Sequence, residues 1–360
     1  MTTPLLPILQ DHIRAHGPMD IATYMQFCLS HPEHGYYTAK ENVFGRPGDF
    51  ITAPDISQLF GEMVGFWIAD IWAQMGKPRP FSLVELGPGR GTWMRDILRI
   101  TDRIPGMSNA MYISLVETSP ARISEQAAAL HGYDVTWFDD VDDLPVDDPI
   151  IIINNEFFDA LPVRQIGRMG QNLFEVAVNL DHKGDLHRVK IPYLNDIPDM
   201  PDATIVEFSE MRDQVARALY ARIRHQGGVI LTIDYGYDIP LGRPTLQAVR
   251  NHTHVDFLDS PGHADLTALV DFGRLAALAH ESGLSVRGPV GQGIFLKNLG
   301  IATRAEKILE NAPLDMQENI RTGLSRLVDP DQMGVLFRVL CAYHPRGTPL
   351  YPAGFDPDVS

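Results

Sequence analysis

Five short, almost wholly apolar runs alternate with amphipathic helical segments between Ser82 and Gly236, and nothing else in the chain restricts its fold as strongly. SLVEL (82–86), YISLVE (112–117), DVTWF (134–138), PIIIIN (149–154) and GVILTIDYG (228–236) read as strands. Helical periods over Thr92 to Arg99, Pro120 to His131 and Ser209 to Gln226 separate most of them. Strands this apolar must be covered on both faces, which predicts an α/β fold around a parallel sheet. With 360 residues, 44% hydrophobic and 21% charged, the chain can fill one large core, or one core and a smaller second unit.

Around this frame the sequence predicts an N-terminal helical and lid region over residues 1–78 and a sheet domain over 79–360. Leu5 to His16 and Ile21 to Leu29 have helical patterns, broken by Gly17-Pro18, with Asp20 as a cap. Ser30 to Asp55 carries Pro32, Gly35, Gly45, Pro47, Gly48 and Pro54, the composition of a loop, but also four aromatic residues, which favours a lid over disorder. Ser57 to Met75 returns to a helical period. Two insertions are expected in the sheet domain. One, near 163–200, contains NLFEVAVNLDHKGDLHRVKI, a β-hairpin turning at His182-Lys183-Gly184. The other, near 236–265, is rich in Gly, Pro, His and Asp and reads as loop. The tail predicts helices over Asp271 to Ser282, Arg304 to Glu310 and Asp315 to Leu327, then a last strand, VLFRVLCAYH.

A formal net charge of -16 works against a surface that gains affinity by neutralising phosphates, so nucleic-acid substrates are disfavoured. Small molecules or basic segments of other proteins remain compatible. Cys28 and Cys341 show no CxxC spacing or pairing pattern, and no metal site is expected. His31 and His34 lack the HExxH spacing, and His252, His254 and His263 read as solvated loop residues. The N-terminus has no basic stretch followed by a long apolar run, which predicts a cytoplasmic protein without membrane insertion. A homodimer is left open.

The strongest local signal is SLVEL running into GPGRG and a helix opening at Thr92. Glycines there permit a sharp turn and let a ligand approach backbone amides at a helix N-terminus. Gly87, Gly89 and Gly91 are spaced G-x-G-x-G around Pro88, not G-x-G-x-x-G, and no Gly-Lys-Ser/Thr follows. Glu85, two residues before the first glycine, disfavours a pyrophosphate and suits a positively charged amine. S-adenosylmethionine has an amino group and a sulfonium. Glu117, ending the second strand, can accept hydrogen bonds from both ribose hydroxyls of an adenosine cofactor. Asp139 and Asp140 follow the third strand, where they could reach an adenine or simply form a solvated acidic loop.

The fourth strand ends in Asn154, Asn155, Glu156, Phe157 and Phe158, at the edge where doubly wound sheets bind ligands. Amide carbonyls and a carboxylate can hold an amine or guanidinium with its lone pair aimed at a methyl donor, and aromatic rings can face a cation. Ordinary capping of the next turn is the alternative. On this reading Glu156 orients the acceptor with Asn155 and Asp234 in support, and Asn154 joins the cofactor site.

VELGPGRGT, NNEFFDALPV and the upstream GYYTAKENVFGRPGDFITAPDISQLFGE together resemble the MidA-type S-adenosylmethionine-dependent methyltransferases, a family that includes the mitochondrial complex I assembly-factor methyltransferase. The likeness continues through IDYGY, GHADLTALVDF and QGIFLKNLGI. It implies a class I methyltransferase fold, Rossmann-like with a mostly parallel seven-stranded sheet, and S-adenosylmethionine as cofactor. It also implies arginine methylation of a protein such as a complex I core subunit. The family's N-terminal motif falls on Gly48, Asp49, Phe50, Thr52, Pro54, Ser57 and Gln58, a lid over cofactor and acceptor, with Ala53 where members often have serine. A small-molecule O- or N-methyltransferase and a non-catalytic S-adenosylmethionine-binding assembly factor are the competing functions.

Overall fold

A computed structural model describes residues 3–39, 52–195, 201–202, 204–347 and 349–355. The chain forms two compact units. One gathers residues 1–50, 158–214 and 239–271, and the other residues 51–157, 215–238 and 272–360. This partition differs from a single cut at 78/79. The first helices share their core with the two insertions, whereas the helix after the lid motif belongs to the sheet unit.

Among the described residues the sheet unit contains seven strands: β1 (Phe81–Leu86), β2 (Met111–Val116), β3 (Val135–Phe138), β4 (Ile150–Asn155), β5 (Gly228–Tyr237), β6 (Ser285–Gly291) and β7 (Phe337–His344). Their order across the sheet is β6-β7-β5-β4-β1-β2-β3. The five apolar strands read between Ser82 and Gly236 pair in parallel, and the last predicted strand, β7, runs antiparallel between β5 and β6. Every residue of β1 and β4 is buried, as their uniform hydrophobicity requires. From β1 the chain winds outward to β2 and β3, then returns to β4 and winds the other way to β5. The carboxyl ends of β1 and β4 therefore flank the topological switch point, the edge at which doubly wound sheets bind ligands.

Helices α1 (Gln58–Gln74), α2 (Thr92–Thr101) and α3 (Pro120–Ala129) belong to the same unit. Ser57 caps α1 by accepting the Leu59 amide at 3.3 Å. α1 lies against α2 across Gly61 and Gly65, one helical turn apart. A Cβ on Gly61 would fall 2.6 Å from the Asp96 Cβ, and one on Gly65 3.0 Å from the Ile100 Cβ, so only glycine permits this approach.

In the other unit the predicted hairpin forms, with Asn172–Leu180 paired to Leu186–Pro192 and Leu180 opposite Leu186. The expected cap at Asp20 also forms, accepting the Thr23 amide at 2.7 Å. Arg164–Met169 and Ile205–Phe208 extend the hairpin's sheet. The segment near 236–265 is not loop throughout: Gln247–Arg250 pairs with Thr253–Val255 and with Asp265–Thr267 in a small antiparallel sheet. These strands are only three or four residues long and lie among turn-forming residues, which hides them from pattern reading. Leu5, Leu9, Tyr24, Met25, Cys28, Val163, Val178 and Leu266 form this unit's core. Arg212 holds its loops, donating to the carbonyls of Phe158, Asp159, Ala268 and Leu269 at 2.7–3.1 Å.

Candidate active site

The glycine loop leaves the end of β1 in a conformation ordinary residues avoid: Gly87, Gly89 and Gly91 have φ of 61°, 53° and 75°. Each is there for a different reason. Gly87 lies against the ring of Phe157, whose Cδ2 would be 3.2 Å from a Cβ at that position. Gly91 is the N-cap of α2 and packs on α3, where a Cβ would come 3.3 Å from the Gln126 Cα. Gly89 has no described atom within 4 Å of such a Cβ, so the crest of the loop can be approached closely.

Glu85 is 2% exposed in β1. Burial pushes its carboxyl up to about 8, against the opposing effect of a hydrogen bond from the Met94 amide in the first turn of α2. Its Oε2 has no hydrogen-bond partner among the described residues. Glu117, half-buried just beyond β2, accepts the Ser119 amide at 2.9 Å and the Gln126 side-chain amide at 3.1 Å. Burial raises its carboxyl too, and these hydrogen bonds oppose the rise.

At the end of β4 the chain turns through Glu156, whose φ of 52° is a conformation that costs a side-chain-bearing residue energy and that clusters at functional sites. Its amide donates to the Ile233 carbonyl at 3.0 Å, and the Asn155 Nδ2 donates to its Oε1 at 3.0 Å. Asp234, fully buried in β5, accepts the amides of Phe157 at 3.2 Å and Tyr235 at 2.9 Å. It thus ties the turn after Glu156 to the neighbouring strand. Asn154 is fully buried, level with Leu86 of β1, and donates to the Thr232 hydroxyl at 3.1 Å.

The structure gathers Gly87, Phe157, Asn155, Glu156 and Asp234 at one edge of one unit. Phe158 instead is buried in the other unit, its carbonyl taken by Arg212. Asp139 is exposed, and Asp140 caps a short turn by accepting the Asp142 amide at 2.9 Å. Of the lid motif, Gly48, Asp49 and Phe50 lie outside the described residues. Thr52 opens a short helix, Ala53–Ile56, in which Pro54 occupies the first turn. Gln58 donates to Glu62, which also receives Arg304 at 2.7 Å. Asp55 has its carboxyl raised by burial, with the Arg90 guanidinium of the glycine loop opposing that rise.

A family model for S-adenosyl-L-methionine-dependent methyltransferases matches residues 63–290, more than half of the chain. The chain belongs to this methyltransferase family. It is an enzyme, with S-adenosylmethionine as its cofactor. The methyltransferase is 35% identical to the mitochondrial protein arginine methyltransferase NDUFAF7 homolog of Drosophila melanogaster, over 93% of this chain and 84% of that protein. It is 34% identical to human mitochondrial NDUFAF7, over 93% and 82%. Its fold matches that of a Burkholderia thailandensis protein bound to S-adenosyl-homocysteine, with a TM-score of 0.82, 24% identity and coverage of 98% and 92%. The names of the curated relatives place them in mitochondria, which corrects the cytoplasmic expectation. Among the described residues no helix is long and apolar enough to cross a membrane.

The residues present suit the cofactor. A buried carboxylate oxygen without a partner at Glu85 matches an ammonium group, the aligned Glu117 carboxylate matches vicinal hydroxyls, and the open side of Gly89 admits a ligand against the backbone. Sequence reasoning missed Gln126, which bonds to both Glu117 and the Gly89 carbonyl, and Trp137, which bonds to Gln126. Only the spacing of Arg122 and Gln126 on the inward face of α3, with Leu130 just beyond its end, could have flagged the first of them.

Proposed function

We propose that this methyltransferase methylates a guanidinium nitrogen of arginine in a protein, with a subunit of respiratory complex I as the substrate the family resemblance favours. The observation that carries the reading is Glu156: a carboxylate at the switch-point edge, on a left-handed backbone and bonded to Asn155. Carboxylates bind guanidinium groups through paired, charge-assisted hydrogen bonds, which fix the plane of the acceptor. The arginine methyltransferase names of relatives at 34–35% identity support the same acceptor.

When bound, S-adenosylmethionine supplies a methyl already activated by its sulfonium. The chain's own work is alignment. Glu156 would accept hydrogen bonds from the guanidinium and orient the nitrogen that gains the methyl; the sulfonium–methyl bond would break, S-adenosylhomocysteine would leave, and the proton displaced from the nitrogen would pass to solvent. Asn155 fixes the carboxylate's rotation, and Asp234 fixes the backbone beneath it. Phe157, half-buried beside Gly87, offers a ring face to a cation.

Transfer of labelled methyl from S-adenosylmethionine into extract proteins, followed by mass spectrometry of complex I subunits, tests the acceptor. Methylarginine is expected in the protein fraction, and label confined to small metabolites would overturn it. Glu156→Gln should lower kcat by about 10²-fold with the cofactor Kd little changed. Full turnover would remove Glu156 from the role.

A further inference from the structure

The glycine loop and Glu117 leave different strands and are not adjacent in sequence, yet one side chain bonds to both. Gln126 of α3 is fully buried and uses its whole amide. Its Nε2 donates to the Gly89 carbonyl at 2.8 Å and to the Glu117 Oε2 at 3.1 Å, and its Oε1 accepts the Trp137 Nε1 at 2.9 Å. The other Glu117 oxygen receives the Ser119 amide, so the carboxylate is held on both sides.

Such an arrangement is costly unless every bond is made, and here both donors and the acceptor are used. Trp137 fixes which end of the amide faces the site: with the oxygen committed to the indole, the nitrogen must point at the loop and the acid. Packing adds to this, because the loop comes so close to α3 at Gly91 that a Cβ there would lie 3.3 Å from the Gln126 Cα. We infer that Gln126 is a positioning residue for cofactor binding, setting the distance and orientation between the crest of the glycine loop and the Glu117 carboxylate. The inference rests on the reading that this loop and Glu117 hold the cofactor. Gln126 itself acts through them.

Two substitutions probe it with little change of size. Gln126→Met removes both donated bonds. Gln126→Glu places a second carboxyl against Glu117, whose charged neighbour Arg122 is itself paired to Glu125 at 2.8 Å. S-adenosylhomocysteine affinity is measured by calorimetry on the full chain, at pH 8 and pH 5.5, beside Glu117→Gln and Trp137→Phe. Both Gln126 variants should bind on the order of tenfold or more weakly at pH 8, as expected for losing a hydrogen bond to a charged group. The Gln126→Glu loss should shrink as the pH falls to 5.5, because burial beside the Glu117 carboxylate raises the introduced carboxyl and its protonated form can donate once. Gln126→Met should show no such recovery. Trp137→Phe, which frees the amide to turn, should weaken binding several-fold while keeping the fold. The pH-dependent recovery separates positioning from general destabilisation.

Wild-type affinity in the Gln126 variants, with Glu117→Gln impaired, would overturn the positioning role alone. Wild-type affinity in Glu117→Gln as well would overturn the cofactor-site reading beneath it.

Discussion

Replacing Glu85 by glutamine should make this methyltransferase more stable at alkaline pH and a worse cofactor binder. The wild-type carboxyl has an ordinary value of 4.5 and is pushed up to about 8 by burial in β1. Below pH 4.5 it is protonated in folded and unfolded chains alike and contributes no difference. As pH rises toward 8 the unfolded chain ionises while the folded one keeps its proton, so stability falls by up to about 1.4 kcal/mol per pH unit. Above 8 the folded carboxyl ionises too and the fall stops, at a ceiling of about 5 kcal/mol. Glutamine does not titrate. Urea unfolding of both proteins at pH 5, 6.5 and 8 should therefore show a stability gap that widens with pH in favour of Glu85→Gln. A fixed offset from altered hydrogen bonding would shift the curves without tilting them. The cofactor side has its own signature: an ammonium placed at the unpartnered Oε2 favours the ionised form, so binding near pH 7 should expel a proton. Calorimetry in buffers of different ionisation enthalpy reads that proton, and Glu85→Gln should lack it. Parallel stability curves, or equal proton release from both proteins, would refute the reasoning.

Gly91→Ala forces a left-handed backbone on a residue with a Cβ and brings that atom 3.3 Å from the Gln126 Cα, so it should cost about 2 kcal/mol, read as a lowered denaturant midpoint. Gly61→Ala should cost about 1–3 kcal/mol, because the Asp96 Cβ 2.6 Å away can yield only if α1 and α2 separate. Arg212→Met strips the donor from four carbonyls and should destabilise by about 3–5 kcal/mol, with limited proteolysis cutting first in residues 158–214 or 239–271. Unchanged proteolysis would show that those carbonyls find other partners.

Where one periodicity dominated, the fold could be read from sequence. The apolar strands β1, β2, β4 and β5 must be buried on both faces, and a chain alternating such strands with helices has few ways to cover them. β6 escaped because SVRGPVG is half polar and interrupted by Gly288-Pro289, and it pairs with β7 across an irregularity in register. The partition of the chain escaped for a different reason. The helices Leu5–His16 and Ile21–Ser30 have apolar faces that would suit any core, and only the three-dimensional arrangement shows that Leu5, Tyr24 and Cys28 share one with the insertions.

The site shows the same division at finer scale. Gly87, Gly89, Gly91, Glu85 and Glu156 are visible in sequence because each departs from what its local structure would favour: glycine where a helix begins, an acid inside an apolar strand, an acid at a strand's last turn. Gln126 departs from nothing, since a glutamine on a helix is unremarked until its face is known to be inward. The residues that hold a site together are chosen for partners far away in the chain, here 37 positions to Gly89 and 9 to Glu117, and no local pattern records those partners. A variant that disables cofactor binding without touching the glycine loop or the acids is therefore to be sought first on the inward face of α3.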